Sequence, residues 1–188
     1  MSAHSSSSKG RIAAACALVS AMLAPVQASA ATDGTLGATS QGNISINASV
    51  PARARITGLA DVSFLNQDPT ISASDAQDVC VWTNTASGTY QITATGSGTG
   101  GAFTIQETGG DTVAYTVAWN STAGQTSGTS LAAGTASSSL TSVATHQSCT
   151  TGPANSASLI VGIANTELST MLASTTYSGT LTLLVTPQ

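Results

Sequence analysis

Positive charge is nearly missing from this chain: it has four Lys and Arg among 188 residues, and Lys9 is the one lysine. Beyond residue 11 the basic residues are Arg53 and Arg55 alone. Nucleic acid and anionic membrane surfaces are therefore excluded as partners, since both are held by clustered cations. Lys–Asn isopeptide cross-links are excluded as well, because past residue 9 there is no amine to form them. Aromatic residues are equally scarce. Two Trp, three Tyr and two Phe cannot supply the interfacial girdles of an outer-membrane barrel. Past residue 30, two cysteines and one histidine, His146, are too few donors for a metal site of the thiolate–imidazole type. The one long apolar run, residues 12–23, is about half the length a bilayer span requires.

That run has another use. Lys9 and Arg11 precede it, and Ala28-Ser29-Ala30 closes the stretch with a small-residue cleavage signal. Residues 1–30 thus read as a secretory signal peptide, cut after Ala30. The mature chain, residues 31–188, has the length of one domain. It keeps two basic and all eight acidic residues, a net charge of −6. With charge so sparse, solubility rests on Ser, Thr, Asn and Gln, a surface suited to packing against copies of itself. Cys80 and Cys149 are the mature cysteines, and an exported chain with two is read as carrying one disulfide. Closing a loop of about 70 residues contributes roughly 4 kcal/mol by restricting the unfolded chain.

Strand follows short strand along the mature sequence. Residues 61–65 and 78–84 come first, and Tyr90, Ile92 and Ala94 then alternate with polar neighbours. Phe103 and Ile105 follow a glycine turn, and Val113, Tyr115, Val117 and Trp119 form the clearest alternating face. Leu159, Val161 and Ile163 line another, and Tyr177, Leu181, Leu183 and Val185 the last. Residues 166–172 read as a helical turn, and 120–139, rich in Gly, Ser, Thr and Ala, as a long exposed connection. Short strands at this spacing predict an all-β sandwich of immunoglobulin-like type.

Catalytic patterns are absent. Gly96, Gly98 and Gly101 satisfy G-x-G-x-x-G, but a strand follows them, whereas a phosphate loop must open a helix. They read as a hairpin turn. His146 has serines near it but no nucleophile elbow, and reads as an exposed loop residue beside the disulfide. Asp75 and Asp78 read as turn or capping residues ahead of a strand rather than as paired catalytic carboxylates. The expectation is a protein that is not an enzyme and holds no cofactor or metal.

The organising stretch is residues 42–50, Gly-Asn-Ile-Ser-Ile-Asn-Ala-Ser-Val. Ile44, Ile46, Ala48 and Val50 alternate with Ser45, Asn47 and Ser49, the period of a half-buried strand. Such a strand joins its own domain's sheet or is handed to a neighbouring molecule. Three segments resemble chaperone–usher pilins, most closely the CS1/CFA-type: residues 43–50 their donor strand, 115–119 a mid-domain strand, and 177–185 the C-terminal strand. The closing Tyr-x-Gly-x-Leu-x-Leu-x-Val, from Tyr177 and Gly179 through Leu181, Leu183 and Val185, is the most specific of these.

The resemblance implies an immunoglobulin-like fold lacking its last strand. Residues 31–52 would be leader and donor strand, and 53–188 the sandwich. Tyr177, Gly179, Leu181, Leu183 and Val185 would border an apolar groove, filled first by a periplasmic chaperone that holds the carboxylate at Gln188. At an outer-membrane usher, the next subunit's strand would replace the chaperone's, giving a non-covalent head-to-tail fibre at the cell surface that serves adhesion or biofilm formation. The competing reading is a secreted β-sandwich binding module, for carbohydrate for example, with residues 42–50 in its own sheet. Its aromatic candidates, Trp82 and Trp119, lie in alternating strands where core packing is expected.

Overall fold

The computed structural model describes residues 30–188, so the expected signal sequence lies outside the described residues up to position 29. The chain separates into two units, Met1–Ser49 and Val50–Gln188.

Among the described residues of the first unit, the one pairing is an antiparallel bridge between Thr32 and Asn43. The Thr32 N–H donates to the Asn43 carbonyl at 2.9 Å, and the Asn43 N–H to the Thr32 carbonyl at 2.8 Å. The strand expected over residues 42–50 is not formed: past Asn43, residues 44–50 are assigned to no ladder and are exposed throughout. Side-chain alternation marks a segment able to pair, but a ladder also needs a partner backbone.

The second unit is all-β with antiparallel pairing. Its strands are β1 (Ala54–Thr57), β2 (Ala73–Thr83), β3 (Thr89–Gly96), β4 (Thr104–Gln106), β5 (Thr112–Ala114), β6 (Thr116–Asn120), β7 (Thr129–Ser130), β8 (Leu140–Thr141), β9 (Ala157–Ile163) and β10 (Leu181–Pro187). One helical turn, α1 (Asn165–Leu168), follows β9. One sheet runs β1-β2-β9-β6-β7, a second β10-β3-β8, and β4 pairs with β5 alone. The two larger sheets face one another across Val79, Val81, Val117, Trp119, Leu159 and Val161 on one side and Tyr90, Ile92 and Ala94 on the other. This is the immunoglobulin-like sandwich that the strand pattern predicts.

Three elements differ from the sequence reading. Residues 61–65 form no strand, although Val62 and Phe64 alternate inward and pack on the core. β1 stops at Thr57, where Gly58 takes a φ of 85°. Beyond it the Gln77 side chain takes up both backbone groups of Ala60, accepting its N–H at 2.7 Å and donating to its carbonyl at 3.1 Å. A side-chain amide thereby stands where a backbone ladder to β2 would have continued. The single face 113–119 is divided between two sheets, because the Tyr115 N–H donates to the Phe103 carbonyl and breaks the run. Asp75 and Asp78 lie within β2 rather than ahead of it, three residues apart and so on opposite faces.

Candidate functional site

The side edges of the sandwich are unequal. On one side β7 and β8 end the two sheets, and the connection between them crosses from one to the other. A cavity of about 210 Å³ lies there against Trp119, Leu131 and Leu140, with no titratable side chain in its lining. On the other side β1 and β10 end the two sheets with Cα atoms within 8 Å of each other. Among the described residues neither has a second ladder partner: β1 pairs with β2 only, and β10 with β3 only. Apolar Ile56, Leu181, Leu183 and Val185 lie along these two edges.

Exposure follows from this layout. In β3 the core-facing Tyr90, Ile92 and Ala94 are 0% exposed. One strand over, the core-facing Leu181, Leu183 and Val185 of β10 are only half-buried, as is Ile56 of β1. Leu183 stands opposite Ala94 and Val185 opposite Ile92, so the contrast belongs to the strand's place in the sheet and not to its sequence. β2 repeats the pattern. Asp75, registered with Val161 on the core-facing side, is exposed, whereas Val79 and Val81 further along that face are fully buried. A carboxylate tolerates a core-facing position only where the core stays open to water.

The flanks of β10 carry the remaining residues of the C-terminal pattern. The strand expected from Tyr177 begins at Leu181 instead, because Ser178 pairs with Gln106 and the Thr180 N–H is taken by Ser97 Oγ at 2.9 Å. Tyr177 itself is half-buried against the core, its hydroxyl accepting the Leu172 N–H at 3.2 Å, while Gly179 is exposed. At the other end the Gln188 N–H donates to the Thr89 carbonyl. Leu184 faces outward from β10 and is 59% exposed. In the first unit Ile44, Ile46 and Val50's preceding neighbours carry the other half of the pattern: Ile44 and Ile46 are 75% and 85% exposed, and Ala48 is exposed too. Val50, where the second unit begins, is 81% exposed.

Groups of chemical interest lie elsewhere. Cys80 and Cys149 form the expected disulfide, with Cα atoms 6.1 Å apart. His146 is exposed beside it, its Nδ1 2.8 Å from Ser148 Oγ and 3.1 Å from Thr150 Oγ1, with no carboxylate among those contacts. Asp78 faces away from the core, where its carboxylate accepts the Gly124 N–H and the Ser158 hydroxyl, both at 2.7 Å. These bonds hold the carboxyl below the usual aspartate range. Among the described residues no three His, Cys, Asp or Glu side chains gather as for a metal ion. No helix among them is long and apolar enough to cross a membrane.

The strand pattern did not reveal β1 as an edge strand, nor that residues 58–65 pack on the core without joining a ladder. The usable signal was Ile56, Val62 and Phe64, but the turn at Gly58 interrupts their period.

No family model matches this chain, and no curated protein does. Among solved structures it is similar to a chain from a chaperone–tip adhesin complex described as vital for synergistic activation of CFA/I fimbriae biogenesis, at 15% identity and a TM-score of 0.46. The alignment covers 73% of this chain and 41% of the other, so the present chain spans about two fifths of that neighbour.

Proposed function

We propose that this protein is a structural, non-catalytic subunit of a surface pilus, joined to its neighbours by strand donation. The observation that carries the reading is the half-buried apolar row of Leu181, Leu183 and Val185 on a strand with one free edge, facing the free edge of β1. A free edge beside apolar side chains is a template for an added strand. The segment fitted to it is residues 44–50 of another copy, with its exposed Ile44, Ile46, Ala48 and Val50. Donation from one copy to the next is a head-to-tail contact that does not close on itself, and so builds a filament.

Burying Ile44, Ile46 and Val50 at roughly 2 kcal/mol each contributes on the order of 6 kcal/mol. Paired backbone adds to this, and ordering the segment subtracts from it. Before assembly the same groove would expose apolar surface, so a periplasmic chaperone would cover it and an outer-membrane usher would exchange chaperone for subunit. Export by the leader at residues 1–30 and display at the cell surface complete the reading.

The deciding experiment compares Ile46→Asp with Asn47→Asp. A carboxylate at position 46 must be desolvated in the groove, which costs several kcal/mol and cancels most of the gain. Ile46→Asp is expected to leave the domain folded but unable to join the subunit ahead, whereas Asn47→Asp polymerises. Boil-sensitive ladders on a denaturing gel report the difference. Ladders from Ile46→Asp would overturn the proposal, as would unfolding of its isolated domain.

A further inference from the structure

We infer that the hairpin closed by Thr32 and Asn43 sets the register in which the strand is donated, an inference that rests on the strand-donation reading. The side-chain pattern does not settle register. A two-residue slip keeps every side chain on its face. In one direction it replaces Ile44, Ile46, Ala48 and Val50 by Gly42, Ile44, Ile46 and Ala48, and in the other by Ile46, Ala48, Val50 and Ala52. Both sets are largely apolar, so both fit an apolar groove.

Backbone geometry supplies what the side chains do not. In an extended strand the N–H and C=O of one residue face one edge, and those of the next residue face the other. Asn43, Ser45, Asn47 and Ser49 therefore share an edge. At Asn43 that edge is already taken, since Thr32 holds both its N–H and its carbonyl. A neighbour's strand pairing along this edge must end at Ser45. Sliding Gly42 and Asn43 into the groove requires breaking both hydrogen bonds and opening residues 32–43. The opposite slip would draw in Pro51 and Ala52, but the Pro51 carbonyl accepts the Asn84 side-chain N–H at 2.9 Å and the Arg53 N–H donates to the same side chain at 2.6 Å. Between these two stops lie residues 44–50, seven residues, and β10 offers seven, Leu181–Pro187. The leader is thus a positioning element for assembly, and Thr32 is its key residue.

The test uses the full-length chain, exported and assembled in cells. Asn47→Cys is combined in turn with Thr182→Cys, Leu184→Cys or Thr186→Cys, all on the exposed face of β10, and intermolecular disulfides are read on non-reducing gels. With the leader intact, one pair should exceed the other two by about tenfold, the scale of two net hydrogen bonds. Deleting residues 32–41, or replacing Thr32→Pro to remove its N–H, should spread the product over at least two pairs. A single unchanged pair after deletion overturns the inference while leaving strand donation standing. Several equal pairs with the leader intact also overturn it. No intermolecular pair in either background overturns strand donation itself, and the register inference with it.

Discussion

Trp119 donates its indole N–H to the Tyr90 hydroxyl at 3.0 Å, joining β6 of one sheet to β3 of the other through the interior. Both residues are buried, Tyr90 completely. Burial keeps the Tyr90 hydroxyl above the usual tyrosine range, against a smaller opposite pull from the Trp119 bond, so it stays neutral. Tyr115, also buried, has a hydroxyl without a partner among the described residues. Two tyrosines in one core thus make opposite predictions. Tyr90→Phe leaves the Trp119 N–H unpaired and should cost about 1–3 kcal/mol. Tyr115→Phe removes an unpaired group and should be neutral or slightly stabilising. Urea unfolding followed by tryptophan fluorescence separates them, and equal losses would contradict the assigned hydrogen bond.

The parity of β10 gives a second prediction. Leu183 is half-buried on the core-facing side and Thr182 is exposed on the other. Leu183→Asp should therefore destabilise by several kcal/mol, through lost apolar contact and a carboxylate placed against the core. Thr182→Asp, at a solvated position, should change stability by less than about 0.5 kcal/mol. Periplasmic yield and the urea midpoint are the measurements, and similar effects from both substitutions would reverse the face assignment.

The disulfide gives a third. Cys80 and Cys149 are 69 residues apart, so the bridge removes much freedom from the unfolded chain. Replacing both with alanine should lower stability by about 4 kcal/mol. Denatured, unreduced protein should show no reactive thiol in the mature chain, and two reactive thiols would refute the bridge.

Acid should loosen one loop ahead of the whole domain. The Asp78 carboxylate accepts the Gly124 N–H, and Ser158, bound to the same oxygen, accepts the Gln125 N–H at 3.0 Å. The Gly124 bond is the larger cause and the Ser158 bond the smaller in holding the folded-state pKa below the ordinary value of 3.8. The contribution is accordingly complete above that ordinary value and fades as pH falls through the depressed one. Amide exchange at Gly124 and Gln125 should accelerate there relative to β9, after correction for intrinsic exchange rates. Asp78→Ala should abolish this difference, and a retained acid response would assign it to another group.

How far the sequence leads is seen in particular residues. The outward place of Leu184 between inward Leu183 and Val185 was readable, because period-2 alternation is a local property of extended backbone. The strand expected at 61–65 illustrates the opposite case. Val62 and Phe64 do face the core, yet Gly58 turns the chain and the Gln77 amide occupies Ala60. Alternation identifies a face and carries no information about whether a partner backbone lies alongside. The apolar row of β10 was legible, while the edge strand β1 beside it was not.

By itself the sequence determined the all-β class, the pairing of Cys80 with Cys149, the faces of β3 and β10 and the apolar alternation at residues 44–50. These depend on neighbours in the chain, or on a count so small that one pairing remains. Only the tertiary structure decided that β9 lies between β2 and β6, that β10 stands at a sheet edge opposite β1, and that Asp75 reaches solvent from a core-facing position. Sheet order is set by which distant segments bury the most apolar surface together, and that sum is formed only when the whole chain packs.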